Sequence, residues 1–78
     1  MINIVKKKIV IVEDQSDLRE SYSLIINGTN LYEVIGLYST AEEAISKMQK
    51  RTPDIILMDI QLPGMSGIEA TRVIKERN

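Results

Sequence analysis

Three carboxylates stand where they could do chemistry: the adjacent pair Glu13-Asp14 and, much later in the chain, Asp59. Each closes a short apolar run. Ile9-Val10-Ile11-Val12 leads into Glu13-Asp14, and Ile55-Ile56-Leu57-Met58 leads into Asp59. A charged group is costly inside a core, so each carboxylate belongs at the tip of its run, where the chain emerges from the interior. Carboxylates gathered at one edge repel one another, and burial disfavours their charged forms, so such a cluster calls for a cation. The chain has no cysteine and no histidine, which excludes thiolate sites, the usual zinc sites and imidazole acid–base chemistry. Oxygen ligands alone select a hard ion, Mg²⁺ ahead of Zn²⁺. That ion is satisfied by one or two carboxylates and a backbone carbonyl, which leaves positions open to phosphoryl oxygens. An aspartate beside it can itself act as a nucleophile and become an aspartyl phosphate.

The elements that must carry these groups follow from the pattern between them. Both apolar runs are too short for helices; Ile55 to Met58 is bounded by Pro53 and Pro63-Gly64. Both are expected to be strands of a parallel sheet, buried on both faces. The first covers residues 8–13. Ser16 is expected to cap the helix that follows, with Asp17 at the positive end of its dipole. The apolar face of that helix is expected to be Leu18, Tyr22, Ile25 and Ile26. Asn27-Gly28 ends it, either residue being able to take the left-handed conformation. A second strand runs from about Tyr32 to Tyr38, and its Glu33 and Gly36 suit a sheet edge. Thr40-Ala41-Glu42-Glu43 is a capping box, opening a helix with the stripe Ala41, Ala44, Ile45 and Met48. Lys47, Lys50 and Arg51 are expected in its last two turns, and Thr52-Pro53 closes it. After the strand that ends in Asp59, Pro63-Gly64 fits a type II turn. A second capping box, Ser66-Gly67-Ile68-Glu69, then opens a third helix carrying Ile68, Ala70, Val73 and Ile74.

Strands and helices alternate, with one helix in each crossover. Such connections are right-handed and make neighbouring strands parallel. With the first strand between the other two, the order is 2-1-3, and the crevice lies between the C-terminal tips of strands 1 and 3. Glu13, Asp14 and Asp59 converge there, at the edge where open α/β sheets bind ligands.

Composition narrows the remaining classes. A length of 78 residues, 44% hydrophobic and 27% charged, fits one small globular domain rather than a disordered chain. The net charge is −1, and the short run Lys6-Lys7-Lys8 is read as solubilising the start of a strand, so neither nucleic acid nor a membrane surface is an expected partner. No apolar run approaches the ~20 residues needed to span a bilayer. No signal-peptide pattern follows the N-terminus, and a cytoplasmic location is expected.

The segments Ile9-Val10-Ile11-Val12-Glu13-Asp14 and Ile56-Leu57-Met58-Asp59-Ile60-Gln61-Leu62-Pro63-Gly64-Met65-Ser66-Gly67 resemble the two signature segments of the response-regulator receiver domain of two-component signalling. The resemblance covers essentially the whole chain, so residues 1–78 are read as a partial receiver domain. It implies a flavodoxin-like α/β fold, with the parallel sheet flanked by helices on both faces. It further implies that Asp59 accepts a phosphoryl group from the phosphohistidine of a sensor histidine kinase or a phosphotransfer protein. Asp14 and Asp59 would ligate Mg²⁺ directly, Glu13 would act through water, and the backbone carbonyl of Gln61 would complete the protein ligands. The Gln61 side chain would sit where the family tunes loss of the phosphoryl group. Ser16, Leu18, Arg19 and Tyr22 resemble the surface that docks the kinase; simple packing or solvent exposure accounts for them equally well.

The pattern departs from the family after the third helix. The family has strands 4 and 5 with their helices, a Ser or Thr that contacts the phosphoryl group, a Lys that pairs with it, and an aromatic switch residue. None of these can be assigned here, and the chain is expected to be a fragment. Strand 3 would then be an open apolar edge, favouring self-association or completion by the missing half. Two rival readings stand beside the phosphoacceptor. One is a truncated receiver that cannot be phosphorylated and acts only by association, because phosphoryl transfer depends on positioned positive charge. The other is a haloacid-dehalogenase-type phosphatase, an enzyme rather than a signalling module. That class needs a second Asp shortly after the nucleophile, where this chain has Gln61, and an amide cannot transfer the proton. Gly64-Met65-Ser66-Gly67 is not a dinucleotide fingerprint.

Overall fold

The computed structural model describes residues 5–58 and Lys75. In chain order it contains β1 (Lys7–Val12), α1 (Ser16–Asn27), β2 (Tyr32–Tyr38), α2 (Ala41–Met48) and β3 (Ile55–Met58). The three strands form one parallel sheet in the order β2-β1-β3, the order expected with the first strand between the other two. The turn expected at Pro63-Gly64 and the helix expected from Ser66 fall on residues outside the described ones, apart from Lys75, which is helical.

β1 is the central strand, paired with β2 on one edge and β3 on the other. Ile9, Val10, Ile11 and Val12 are all buried. Successive side chains of a strand point to opposite faces, so the run serves two cores. Val10 and Val12 pack with Ala41, Ala44 and Ile45 of α2, with Ile35, Tyr38, Met48, Ile56 and Met58 around them. Ile9 and Ile11 turn to the other face, where α1 lies against β1 and β2. The chain crosses outward to β2 and back over β1 to β3, and two right-handed crossovers in opposite directions put their helices on opposite faces.

Two local devices set strand register. Ahead of β3, the Asp54 N–H donates to the Lys8 carbonyl at 2.8 Å, and Asp54 Oδ2 accepts from the Lys8 N–H at 2.8 Å. That reciprocal pair precedes the register Ile9↔Ile55 through Val12↔Met58, so β1 and β3 end side by side. On the β2 side the register shifts between Ile9, opposite Val34, and Val10, opposite Gly36. Ile35 is the extra residue of the bulge, and it still reaches the α2 core. Past the bulge, the Tyr38 ring folds back along the strand over Gly36.

α2 begins as its sequence requires: Thr40 accepts a hydrogen bond from the Glu43 N–H at 3.2 Å. The stripe Ala41, Ala44 and Ile45 is buried, with Met48 half-buried. The helix is shorter than expected, however. It stops at Met48, so Lys47 alone of the three cations lies in its last turn. The Lys50 N–H turns back to the Lys47 carbonyl at 3.3 Å, and Arg51 reaches Glu33 of β2 at 3.4 Å.

α1 corrects three expectations. Gln15, not Ser16, is the capping residue and makes no side-chain cap; Ser16 is the first helical residue. Glu13 Oε2 instead accepts from the N–H of Gln15, the cap residue itself, at 3.2 Å. Gly28 is right-handed, at φ −69° and ψ −15°. The helix ends because the N–H and hydroxyl of Thr29 both return to the Ile26 carbonyl, at 3.2 and 3.0 Å, while Asn27 Oδ1 accepts from the Val34 N–H of β2 at 3.0 Å. Finally, the inner face keeps only Tyr22 and Ile26 of the expected apolar stripe. Ile25 is 70% exposed and Leu18 is exposed as well. The half-buried residues are Arg19, Tyr22, Ser23 and Ile26, which recur at i, i+3, i+4 and i+7, as one helical face must. The helix is thus rotated toward an arginine.

β3 also differs from expectation. Its Ile56 and Met58 meet the α2 core, but Ile55 and Leu57 are 44% and 43% exposed, so the strand is covered on one face rather than two. α1 packs chiefly over β1 and β2.

Candidate functional site

The site begins where the β1 ladder ends. The Glu13 N–H donates to the Tyr38 carbonyl at 3.0 Å, continuing the β1–β2 pairing by one residue. The Glu13 carbonyl accepts from Arg19 Nη1 at 2.8 Å, and its carboxylate accepts from the Gln15 N–H. Every backbone polar group of this residue is therefore engaged, and Glu13 is buried at 8% exposure. Asp14, the next residue, is exposed. The adjacent acids thus have opposite settings: one held under the surface at the strand tip, the other presented to solvent from the same turn.

Neither carboxylate is in an ion pair among the described residues; the ion pair found there joins Arg51 to Glu33, far from the turn. A buried carboxylate loses several kcal/mol of hydration, more than one hydrogen bond from an amide restores. The donor set is oxygen only and partly prearranged. It fits a hard divalent ion such as Mg²⁺. No three metal-ligating side chains come together among the described residues; Asp59 and Gln61, the other expected ligands, lie outside them. Val12 and Met58 are register partners at the ends of their strands, and the next residues in sequence are Glu13 and Asp59.

Sequence reasoning missed the inward role of Arg19. One signal was available: a cation in the first turn of a helix opposes the macrodipole, so its placement there asks for a partner. Arg19 finds it in a backbone carbonyl. Gln15 was also missed; its N–H carries the contact to Glu13, and a backbone donor leaves no mark on residue type.

Residues 9–78 match the response regulator receiver domain family. The chain is 39% identical over 72 residues to a protein-glutamate methylesterase/protein-glutamine glutaminase 2 of Paramagnetospirillum magneticum, covering 92% of this chain and 20% of that protein. It is 39% identical over 71 residues to the transcriptional regulatory protein YdfI of Bacillus subtilis, covering 91% of this chain and 33% of that one. Among solved structures, a LuxR-family two-component response regulator from Aurantimonas sp. SI85-9A1 superposes with a TM-score of 0.88 at 38% identity, over 95% of this chain and 53% of that one. The chain thus spans a third or less of these curated relatives and about half of the solved structure.

Proposed function

The chain belongs to the response regulator receiver domain family, and from that premise we propose that it is the Mg²⁺-dependent phosphoacceptor portion of a two-component phosphorelay, with Asp59 as the acceptor. Receiver domains are signalling domains of such systems. The observation that carries the reading is the acidic pair at the tip of β1, beside the end of β3, with Asp59 next in sequence after Met58.

In this reading the Asp59 carboxylate attacks the phosphorus of a phosphohistidine on a sensor histidine kinase or phosphotransfer protein. The new O–P bond forms as the P–N bond breaks, and the electron pair leaves with the imidazole nitrogen, which regains a proton from water. Asp14 and Asp59 would hold Mg²⁺ directly, the Gln61 carbonyl would supply a third protein oxygen, and Glu13, held under the surface, would orient water. When bound, the ion neutralises charge on the transferring phosphoryl oxygens. Glu13 and Asp14 contribute by being in place beforehand, since each polar group fixed in advance removes reorganisation from the reaction. Residues 1–78 act as one receiver portion, and the location is cytoplasmic; among the described residues no helix is long and apolar enough to cross a membrane.

The test is intact mass after incubation with a small-molecule phosphodonor, with and without Mg²⁺, alongside Asp59→Asn. One added phosphoryl group is expected, lost without the ion and lost in the variant. Equal labelling of Asp59→Asn, or labelling indifferent to Mg²⁺, would overturn the reading.

A further inference from the structure

We infer that Arg19 is a positioning residue for the acidic pair, fixing the Glu13–Asp14 peptide plane so that the Asp14 carboxylate leaves the turn in a set direction. The inference rests on the reading of this edge as a Mg²⁺ site and adds to it a residue that touches neither ion nor substrate.

A peptide unit is planar, so fixing its carbonyl also fixes the direction of the following N–H and Cα. The carbonyl between Glu13 and Asp14 is held by Arg19 Nη1 at 2.8 Å, a part-buried bond. On the other side of the same residue, the Glu13 N–H is held by Tyr38 at 3.0 Å. Beyond Asp14, the chain is secured again at the Gln15 N–H by Glu13 Oε2 at 3.2 Å, and the Gln15 carbonyl accepts the Arg19 N–H at 2.9 Å. Arg19 therefore closes both ends of the turn, by its backbone to Gln15 and by its side chain to Glu13. Asp14 is the residue left between, its carboxylate exposed.

Three features set Arg19 apart from an ordinary surface arginine. It lies on the half-buried face of α1, with Tyr22, Ser23 and Ile26, while the apolar Leu18 and Ile25 are left exposed. It stands in the first turn, where the dipole disfavours a cation. Its guanidinium bonds a neutral carbonyl although acids flank it, at Asp17 and Glu20. A lysine ammonium is a point charge on a flexible stem and lacks the planar fork that gives a fixed direction, so it should replace this bond only in part.

The test uses Mg²⁺ itself, titrated calorimetrically into the full chain and into Arg19→Met, Arg19→Lys and Asp14→Asn. Residues that orient metal ligands typically change affinity 10–100-fold when removed; because Arg19 acts through the backbone, a loss of about 10-fold is expected in Arg19→Met, at the low end of that range. Arg19→Lys should recover part of it. The metal-free melting temperature of Arg19→Lys should stay close to that of the parent. The second readout needs no metal: the ¹H–¹⁵N resonance of the Asp14 amide in the apo protein should move in both Arg19 variants. Parent-like Mg²⁺ affinity in a folded Arg19 variant would overturn the inference, and so would an unmoved Asp14 amide. Should Arg19→Met fail to fold, Arg19→Lys decides both readouts. Absence of Mg²⁺ binding by the parent, or parent-like binding by Asp14→Asn, would instead remove the metal-site reading, and the apo resonance would still judge the tether.

Discussion

Replacing Gly36 by alanine should destabilise the sheet through Tyr38 rather than through the backbone. A Cβ at Gly36 would stand 2.6 Å from Tyr38 Cε2 and 2.7 Å from its hydroxyl oxygen. Both are far inside van der Waals contact, so the ring must swing from its place against the α2 core. Overpacking of this kind costs about 1–3 kcal/mol. Against it, losing a glycine from a strand reduces the freedom of the unfolded chain and returns roughly 0.5–1 kcal/mol. The net loss is about 1 kcal/mol, or roughly 4–8 °C in melting temperature for a domain of this size. The ring can then be removed to isolate its part. In a Tyr38→Leu background, Gly36→Ala should be neutral or slightly stabilising, giving a coupling of about 1–2 kcal/mol in the double-mutant cycle. Thermal melts followed by circular dichroism on the four proteins supply the numbers. An equal drop on Gly36→Ala in both backgrounds would refute the reasoning and assign the cost to the backbone.

Substitutions at three further positions probe the frame that carries the site. Ile11→Ala, at the fully buried centre of β1, should cost about 2–5 kcal/mol in urea unfolding. Leu24→Ala, on the exposed side of α1, should stay within ~0.5 kcal/mol; comparable losses would contradict the burial argument. Thr40→Ala removes the acceptor for the Glu43 N–H and should cost about 1 kcal/mol, with Thr40→Asn retaining most of the stability. An Asn variant as unstable as the Ala variant would mean that the cap bond is not what Thr40 contributes.

What was legible in the sequence divides along physical lines. β1 was legible because four consecutive β-branched residues ending in two acids admit few other placements. Thr40 and the α2 stripe were legible because cap and period agreed. α1 was harder to place, because its apolar residues are spread over more than one face. The choice between faces fell to contacts outside the helix, namely the Arg19 bond to Glu13 and the Asn27 bond to Val34. Ser16 was a sound cap by residue type, yet the cap position falls on Gln15, whose N–H donates to Glu13 Oε2. The end of α2 was misjudged because basic residues near a helix terminus look alike whether they lie inside it or beyond it. At the site, the carboxylates were visible as residue types. The tether was not, since a carbonyl acceptor is common to every residue.

The most direct measurement is the position of the acyl phosphate. The full chain would be treated with a phosphodonor and Mg²⁺, then reduced with borohydride, which converts an aspartyl phosphate to homoserine, and sequenced by tandem mass spectrometry. The expected result is homoserine at position 59 alone, absent when Mg²⁺ is withheld and sharply reduced in Asp14→Asn. Homoserine at Asp14 or Asp54, or labelling of Asp59 that ignores both Mg²⁺ and Asp14, would contradict the account.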